Sequence, residues 1–144
     1  MPFGITMGDA SGVGPEILLR AYHANLLAND VFAYGDAAIL AAGAELLDLD
    51  ISLNVIQQPS ELIPDTLNVL DLDCLTSADL TPGKVNRKAG AAARNYVLRA
   101  TADALAGKIR AIVTLPMNKE ATRLSDPTFC GHTELIAAAC GTDN

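Results

Sequence analysis

The residues best equipped for chemistry sit in three short stretches. "GHTE", Gly131–Glu134, sets a histidine and a threonine directly before an apolar run. A free helix N-terminus attracts phosphate or carboxylate; Thr133 can cap such a helix, and His132 can hydrogen-bond a substrate polar group or carry a proton. "PMNKEA", Pro116–Ala121, puts Lys119 just after the apolar segment Ala111–Leu115. Open α/β sheets bind ligands beyond the carboxyl ends of their strands, so Lys119 is placed to meet an anion. "MGDASGVGPE", Met7–Glu16, carries glycines at 8, 12 and 14. Bare backbone at Gly12 and Gly14 would let a ligand approach closely. The spacing is neither G-x-G-x-x-G nor a Walker loop, because no Gly-Lys-Ser/Thr follows. Each stretch also has a plain structural reading: a capped helix with a loop histidine, a solvated lysine on a first turn, and a tight strand-to-helix turn. A fourth stretch, "TPGKVNRKAG" (Thr81–Gly90), gathers Lys84, Arg87 and Lys88. It could face a phosphate or an acidic partner, but charge runs of this kind are expected to be solvated helix starts. His23 has no partner motif and is expected on the surface.

Stepping along the chain, apolar strand-like runs alternate with helical ones. "FGITM" (Phe3–Met7), "VFAYG" (Val31–Gly35), "SLNVI" (Ser52–Ile56) and "TLNVLDL" (Thr66–Leu72) read as strands, with Pro59 and Pro64 punctuating the connection between the last two. "AIVTL" (Ala111–Leu115) is a near-continuous apolar run, as expected of a buried parallel strand. Helices are expected over Pro15–Ala28, Ala37–Leu47, Val85–Ala106, Asn118–Leu124 and Glu134–Cys140. Pro15 suits a first helical turn, Glu16 suits its positive end, and Asp36 can cap the second helix through its side chain. The long helix shows Ala89, Ala93, Tyr96, Val97, Ala100 and Ala104 on one stripe, and Gly107 ends it. Alternation of this kind implies an α/β fold with a parallel or mixed sheet.

Bulk properties narrow the classes. The chain has 144 residues, half of them apolar, which suits one domain with a real core and argues against disorder. Aromatics are 4% and tryptophan is absent, so Ala, Leu, Ile and Val must fill that core. The formal charge of −7 argues against non-specific nucleic-acid binding, though a local cation can still hold a phosphorylated substrate. Cys74, Cys130 and Cys140 form no C-x-x-C pair and are expected as buried free thiols in a reducing cytosol. No secretory signal appears, and no apolar run approaches the ~20 residues of a membrane span. The expected location is cytoplasmic.

"ITMGDASGVGPEI", "PGKVNRKAG", "AIVTLPMNKEA" and "GHTE", in that order, resemble the 4-hydroxythreonine-4-phosphate dehydrogenase family of vitamin B6 biosynthesis. Ala10 and Ser11 depart from the family's usual turn, G-D-P-A-G-I-G-P-E. "PMNKEA" is more similar to the branch that acts on 4-phospho-threonate and 4-phospho-erythronate. Isopropylmalate dehydrogenase relatives, with G-D-G-I-G-P-E, lack the two-residue insertion seen here and match less well.

The resemblance implies two α/β/α lobes like those of isopropylmalate and isocitrate dehydrogenases, joined by a cleft in a homodimer. It implies NAD- or NADP-dependent oxidation of 4-phosphohydroxy-L-threonine, assisted by zinc, magnesium or a similar divalent metal, to a 3-keto acid that decarboxylates in pyridoxal phosphate biosynthesis. The alternative substrate is 4-phospho-D-threonate or 4-phospho-erythronate. Family roles carry over to His132 and Thr133 as substrate contacts, with Lys119 a further candidate and Gly12 and Gly14 candidates toward the cofactor. The family's metal-binding histidines have no counterparts here, because they belong to the region after G-H-T-E. Residues 1–144 are therefore expected to be the N-terminal portion of a longer, two-lobed enzyme and inactive alone. A reading of another class is a truncated binding module that keeps half the fold and no chemistry.

Overall fold

In the computed structural model of the protein, residues 1–142 are described. The elements alternate as expected: β1 (Phe3–Thr6), α1 (Gly14–His23), β2 (Val31–Gly35), α2 (Ala37–Leu46), β3 (Leu53–Ile56), β4 (Leu67–Asp71), a 3₁₀ turn at Ser77–Asp79, α3 (Arg87–Leu105), β5 (Ala111–Thr114), α4 (Lys119–Arg123) and α5 (His132–Ala139). The strands form one sheet in the order β3-β4-β2-β1-β5, and every pairing is parallel. Strand β1, next to the edge, aligns Thr6 with Tyr34 of β2 on one side and with Thr114 of β5 on the other.

The chain leaves β1 toward β2 and later returns to the opposite side of β1 with β5. Parallel crossovers are right-handed, so these two excursions take opposite faces of the sheet. Accordingly α1 and α2 pack on each other, while α3 packs on β1, β2 and β5. The carboxyl ends of β1 and β5 thus form a topological switch point, where open α/β sheets place their ligands.

The helical stripe of α3 is buried as its spacing requires: Ala89, Ala93, Tyr96, Val97 and Ala100 are each 0% exposed. Asn86 caps this helix by accepting from the Ala89 amide at 3.2 Å. Tyr34 anchors β2 to it, since its hydroxyl donates to Asp103 Oδ2 at 2.9 Å. Asp103, itself 3% exposed, is neutralised by Arg99 at 3.1 Å and Lys108 at 3.6 Å.

Four expectations are corrected. Helix α1 stops at His23, short of Ala28, because Asn25 turns left-handed (φ 57) and the Leu26 amide folds back to the Ala21 carbonyl. Asp36 precedes α2 but makes no side-chain cap there. Its Oδ1 accepts from the amides of Cys74 (2.7 Å) and Leu75 (3.0 Å), and its Oδ2 from the Tyr96 hydroxyl, so it fastens the segment after β4 to α3. Strand β5 is not buried: it pairs with β1 alone at the sheet edge and leaves Val113 48% exposed. Cys74 is half-buried, and Cys130 and Cys140 are exposed, because they lie just beyond the two ends of α5 rather than within a buried element.

Candidate functional site

The switch point is built by the glycine turn meeting the segment after β5. Gly8 takes a left-handed conformation (φ +74), and a Cβ there would overlap the Pro116 carbonyl oxygen and stand 3.0 Å from that of Leu115. The next residue uses the same carbonyl: the Asp9 amide donates to Pro116 O at 3.0 Å. Asp9 Oδ1 then accepts from the Ser11 amide at 2.7 Å, closing the turn. A third segment buttresses it from the far side. The Gly83 amide donates to Ser11 O at 2.8 Å, and the hydroxyls of Ser11 and Thr81 lie 2.9 Å apart.

The segment beyond Pro116 presents the polar side chains. Asn118 caps α4, accepting from the Ala121 amide at 3.0 Å. That fixes Lys119 as the first helical residue, exposed and with no ion pair among the described residues. The Lys119 ammonium lies beside Gly131, which leads into α5. Sequence patterning makes Thr133 the cap of that helix, but Gly131 occupies the capping position and the helix begins one residue earlier, at His132. Thr133 is therefore already inside the first turn, exposed, with its hydroxyl unbonded among the described residues.

His132 faces back to the end of β5. Its ring hydrogen-bonds the Leu115 carbonyl, and its pKa lies below the ordinary 6.5, chiefly because burial disfavours the charged form, with Lys119 adding repulsion. A carbonyl is met by a ring N–H, so the neutral imidazole presents its other nitrogen as an acceptor. That atom, Nε2, is buried and has no partner among the described residues. Thr6 Oγ1 and Asp9 Oδ2 share this condition. Buried polar atoms are ordinarily partnered. The orphaned ones among the described residues thus gather at the carboxyl end of β1 and around the end of β5. Burial also raises the Asp9 pKa, against the lowering effect of the Ser11 and Gly12 amides.

The structure brings His132, Thr133 and Lys119 together and separates the two glycines. Gly14 is buried, and the space a Cβ would take is filled by the Met7 carbonyl, so its bareness serves the turn itself. Gly12 is exposed and lines a largely apolar cavity of 330 Å³, between the turn, α1, α2 and Leu80–Gly83. Lys88 pairs with Asp79 at 3.5 Å, while Lys84 and Arg87 are exposed and make no ion pair among the described residues. No three His, Cys, Asp or Glu side chains come together as a metal site among the described residues. No helix there is long and apolar enough to cross a membrane. Sequence reasoning gave Asp9 no role of its own. Its flanking by Gly8 and Ser11 in a turn was the available signal, and its partner Pro116 lies too far along the chain to be read.

The family model described as pyridoxal phosphate biosynthetic protein PdxA matches residues 27–144. The chain belongs to this family. A D-threonate 4-phosphate dehydrogenase of Cupriavidus necator is 38% identical over 143 residues, which is 96% of this chain and 43% of that protein. A crystal structure of a 4-hydroxythreonine-4-phosphate dehydrogenase from Burkholderia phymatum superposes with a TM-score of 0.90 at 36% identity, covering 99% of this chain and 44% of that one. The enzyme of the same name from Klebsiella pneumoniae gives 0.89 at 37% identity, covering 96% and 44%. The chain thus spans less than half the length of the relatives it matches. The expected α/β fold and the family resemblance both stand.

Proposed function

We propose that this chain forms the part of a nicotinamide-dependent dehydrogenase that holds a 4-phosphorylated hydroxy acid. The carrying observation is the cluster at the switch point, where Lys119, a cation without an ion pair among the described residues, lies beside an imidazole whose buried acceptor nitrogen has no partner among them. Such a pair suits a substrate with an anionic end and a hydroxyl: Lys119 attracts the anion, and His132 Nε2 accepts from the hydroxyl. The Thr133 hydroxyl supplies a further polar contact. The names of relatives such as the Cupriavidus protein favour D-threonate 4-phosphate as that substrate. The names of the solved relatives support a second reading, 4-hydroxythreonine-4-phosphate in pyridoxal phosphate biosynthesis.

A nicotinamide dinucleotide, NAD or NADP, would supply the hydride acceptor. The apolar cavity walled by Gly12 has room for one of its rings. Gly14 is not part of that proposal. The described residues do not fit a divalent metal, so no step is assigned to one through them. The homodimer and the cytoplasmic location implied by the resemblance remain part of the proposal. A screen of D-threonate 4-phosphate, 4-phospho-erythronate and 4-hydroxythreonine-4-phosphate tests the reading, following reduced nicotinamide with NAD or NADP and added zinc, magnesium or manganese. The longer enzyme containing this chain should turn over D-threonate 4-phosphate best, and His132→Ala should abolish that turnover. Equal turnover by His132→Ala would overturn the site.

A further inference from the structure

Arg87 is the residue the proposed function does not use, and the packing of α3 on α4 gives it a place. One face of α3 carries Arg87, Gly90 and Arg94, at helical spacing. Gly90 abuts the α4 backbone so closely that a Cβ would overlap Ala121 and Thr122, and Thr122 Oγ1 reaches the Gly90 carbonyl at 3.4 Å. One turn further on, Arg94 Nε donates to Asp126 Oδ2 at 2.8 Å, just beyond α4. Moving toward the N-terminus of α3 therefore moves toward the N-terminus of α4. One turn before Gly90, Arg87 comes level with the start of α4, where Lys119 stands. Neither cation has an ion pair among the described residues, although the chain carries a formal charge of −7. The Glu134 carboxylate also lies beside Gly131 with Lys119, and two cations at one level of the facing helices suit a single bound dianion.

We infer that Arg87 is a second cationic contact for the phosphate of the substrate, acting with Lys119. This rests on the reading that the site holds a phosphorylated hydroxy acid, and it assigns the phosphate to the α3–α4 side of His132. The guanidinium fork suits a phosphate better than an ammonium does, so the charge alone is not sufficient.

Calorimetric titration of the full chain with D-threonate 4-phosphate and with D-threonate tests the assignment. Arg87→Gln should weaken the phosphorylated ligand about tenfold or more and leave D-threonate unchanged. Arg87→Lys should recover only part of the loss, and raising the salt concentration should weaken wild type more than Arg87→Gln. Arg87 is exposed, so circular dichroism of the variants should match wild type. Binding that His132→Ala abolishes and Arg87→Gln leaves intact would overturn the Arg87 assignment and keep the substrate reading. Equal weakening of both ligands would also overturn it. Absence of phosphorylated-ligand binding in wild type would overturn both.

Discussion

Gly8→Ala is the sharpest test of how the glycine turn and the segment after β5 hold each other. The substitution places a side chain in a left-handed conformation (φ +74), which costs about 1–2 kcal/mol by itself. The new methyl also overlaps the Pro116 carbonyl and stands 3.0 Å from the Leu115 oxygen. Both neighbours are backbone and cannot rotate aside, so relief requires the two segments to part, an overpacking cost of about 1–3 kcal/mol. Parting them also weakens the Asp9–Pro116 hydrogen bond, worth about 1 kcal/mol. These effects share one movement and do not simply add, which gives roughly 3–5 kcal/mol in total. Gly107→Ala is the control. It has the same kind of backbone (φ +72) with nothing within 4 Å of the new Cβ, so only the conformational cost applies. The two variants should differ by about 2 kcal/mol or more in urea unfolding, and by about 4–8 °C in melting temperature. Equal losses would refute the abutment of turn and strand end.

Other substitutions probe the remaining contacts. Asp36→Ala leaves two amides and the Tyr96 hydroxyl without their acceptor and should destabilise the chain by roughly 3 kcal/mol in urea unfolding, with Asp36→Asn milder. Burial raises the folded pKa of Asp36 above its ordinary 3.8. The folded chain therefore holds that proton more tightly, so wild type should lose stability relative to Asp36→Asn as pH rises from that value through the raised one. His132 has the opposite linkage: its folded pKa lies below 6.5, so its contribution is present above that value and lost as pH falls through the depressed one. His132→Gln should flatten that part of the acid side of the stability profile. A thiol reagent should modify exposed Cys130 and Cys140 rapidly and half-buried Cys74 slowly, read as two kinetic phases.

What could be read from the sequence was whatever depends on local periodicity. The α3 stripe announced itself because Ala89, Ala93, Tyr96, Val97 and Ala100 repeat at helical spacing, and that face is the buried one. What depends on distant partners could not be read. Asp36 looks like a helix cap from its neighbours alone, and only the fold brings Cys74, Leu75 and Tyr96 to its oxygens. The run Ala111–Leu115 looks buried because apolar content does not say whether a strand has one neighbour or two. The placement of His132 and Lys119 at one end of the sheet was legible from their position after an expected strand and before an expected helix, and their role in a site is a proposal. Thr133 was one residue off as a cap, because an extended Gly131 begins α5 earlier than its threonine suggests. Gly12 and Gly14 looked alike in sequence, and only packing distinguishes the exposed cavity wall from the residue pressed against Met7.

The central claim is that the His132 end of the sheet holds a phosphorylated hydroxy acid, and the chain carries its own control for testing it. There are two histidines, and His23 is exposed at the last turn of α1. Titration of the protein with D-threonate 4-phosphate, followed by the histidine ring resonances in NMR, reads both at once. The expected result is a saturable shift of the His132 signals, with His23 unmoved and the shift weakened by Lys119→Gln. Equal movement of both histidines, or no movement of His132 at millimolar ligand, would contradict it.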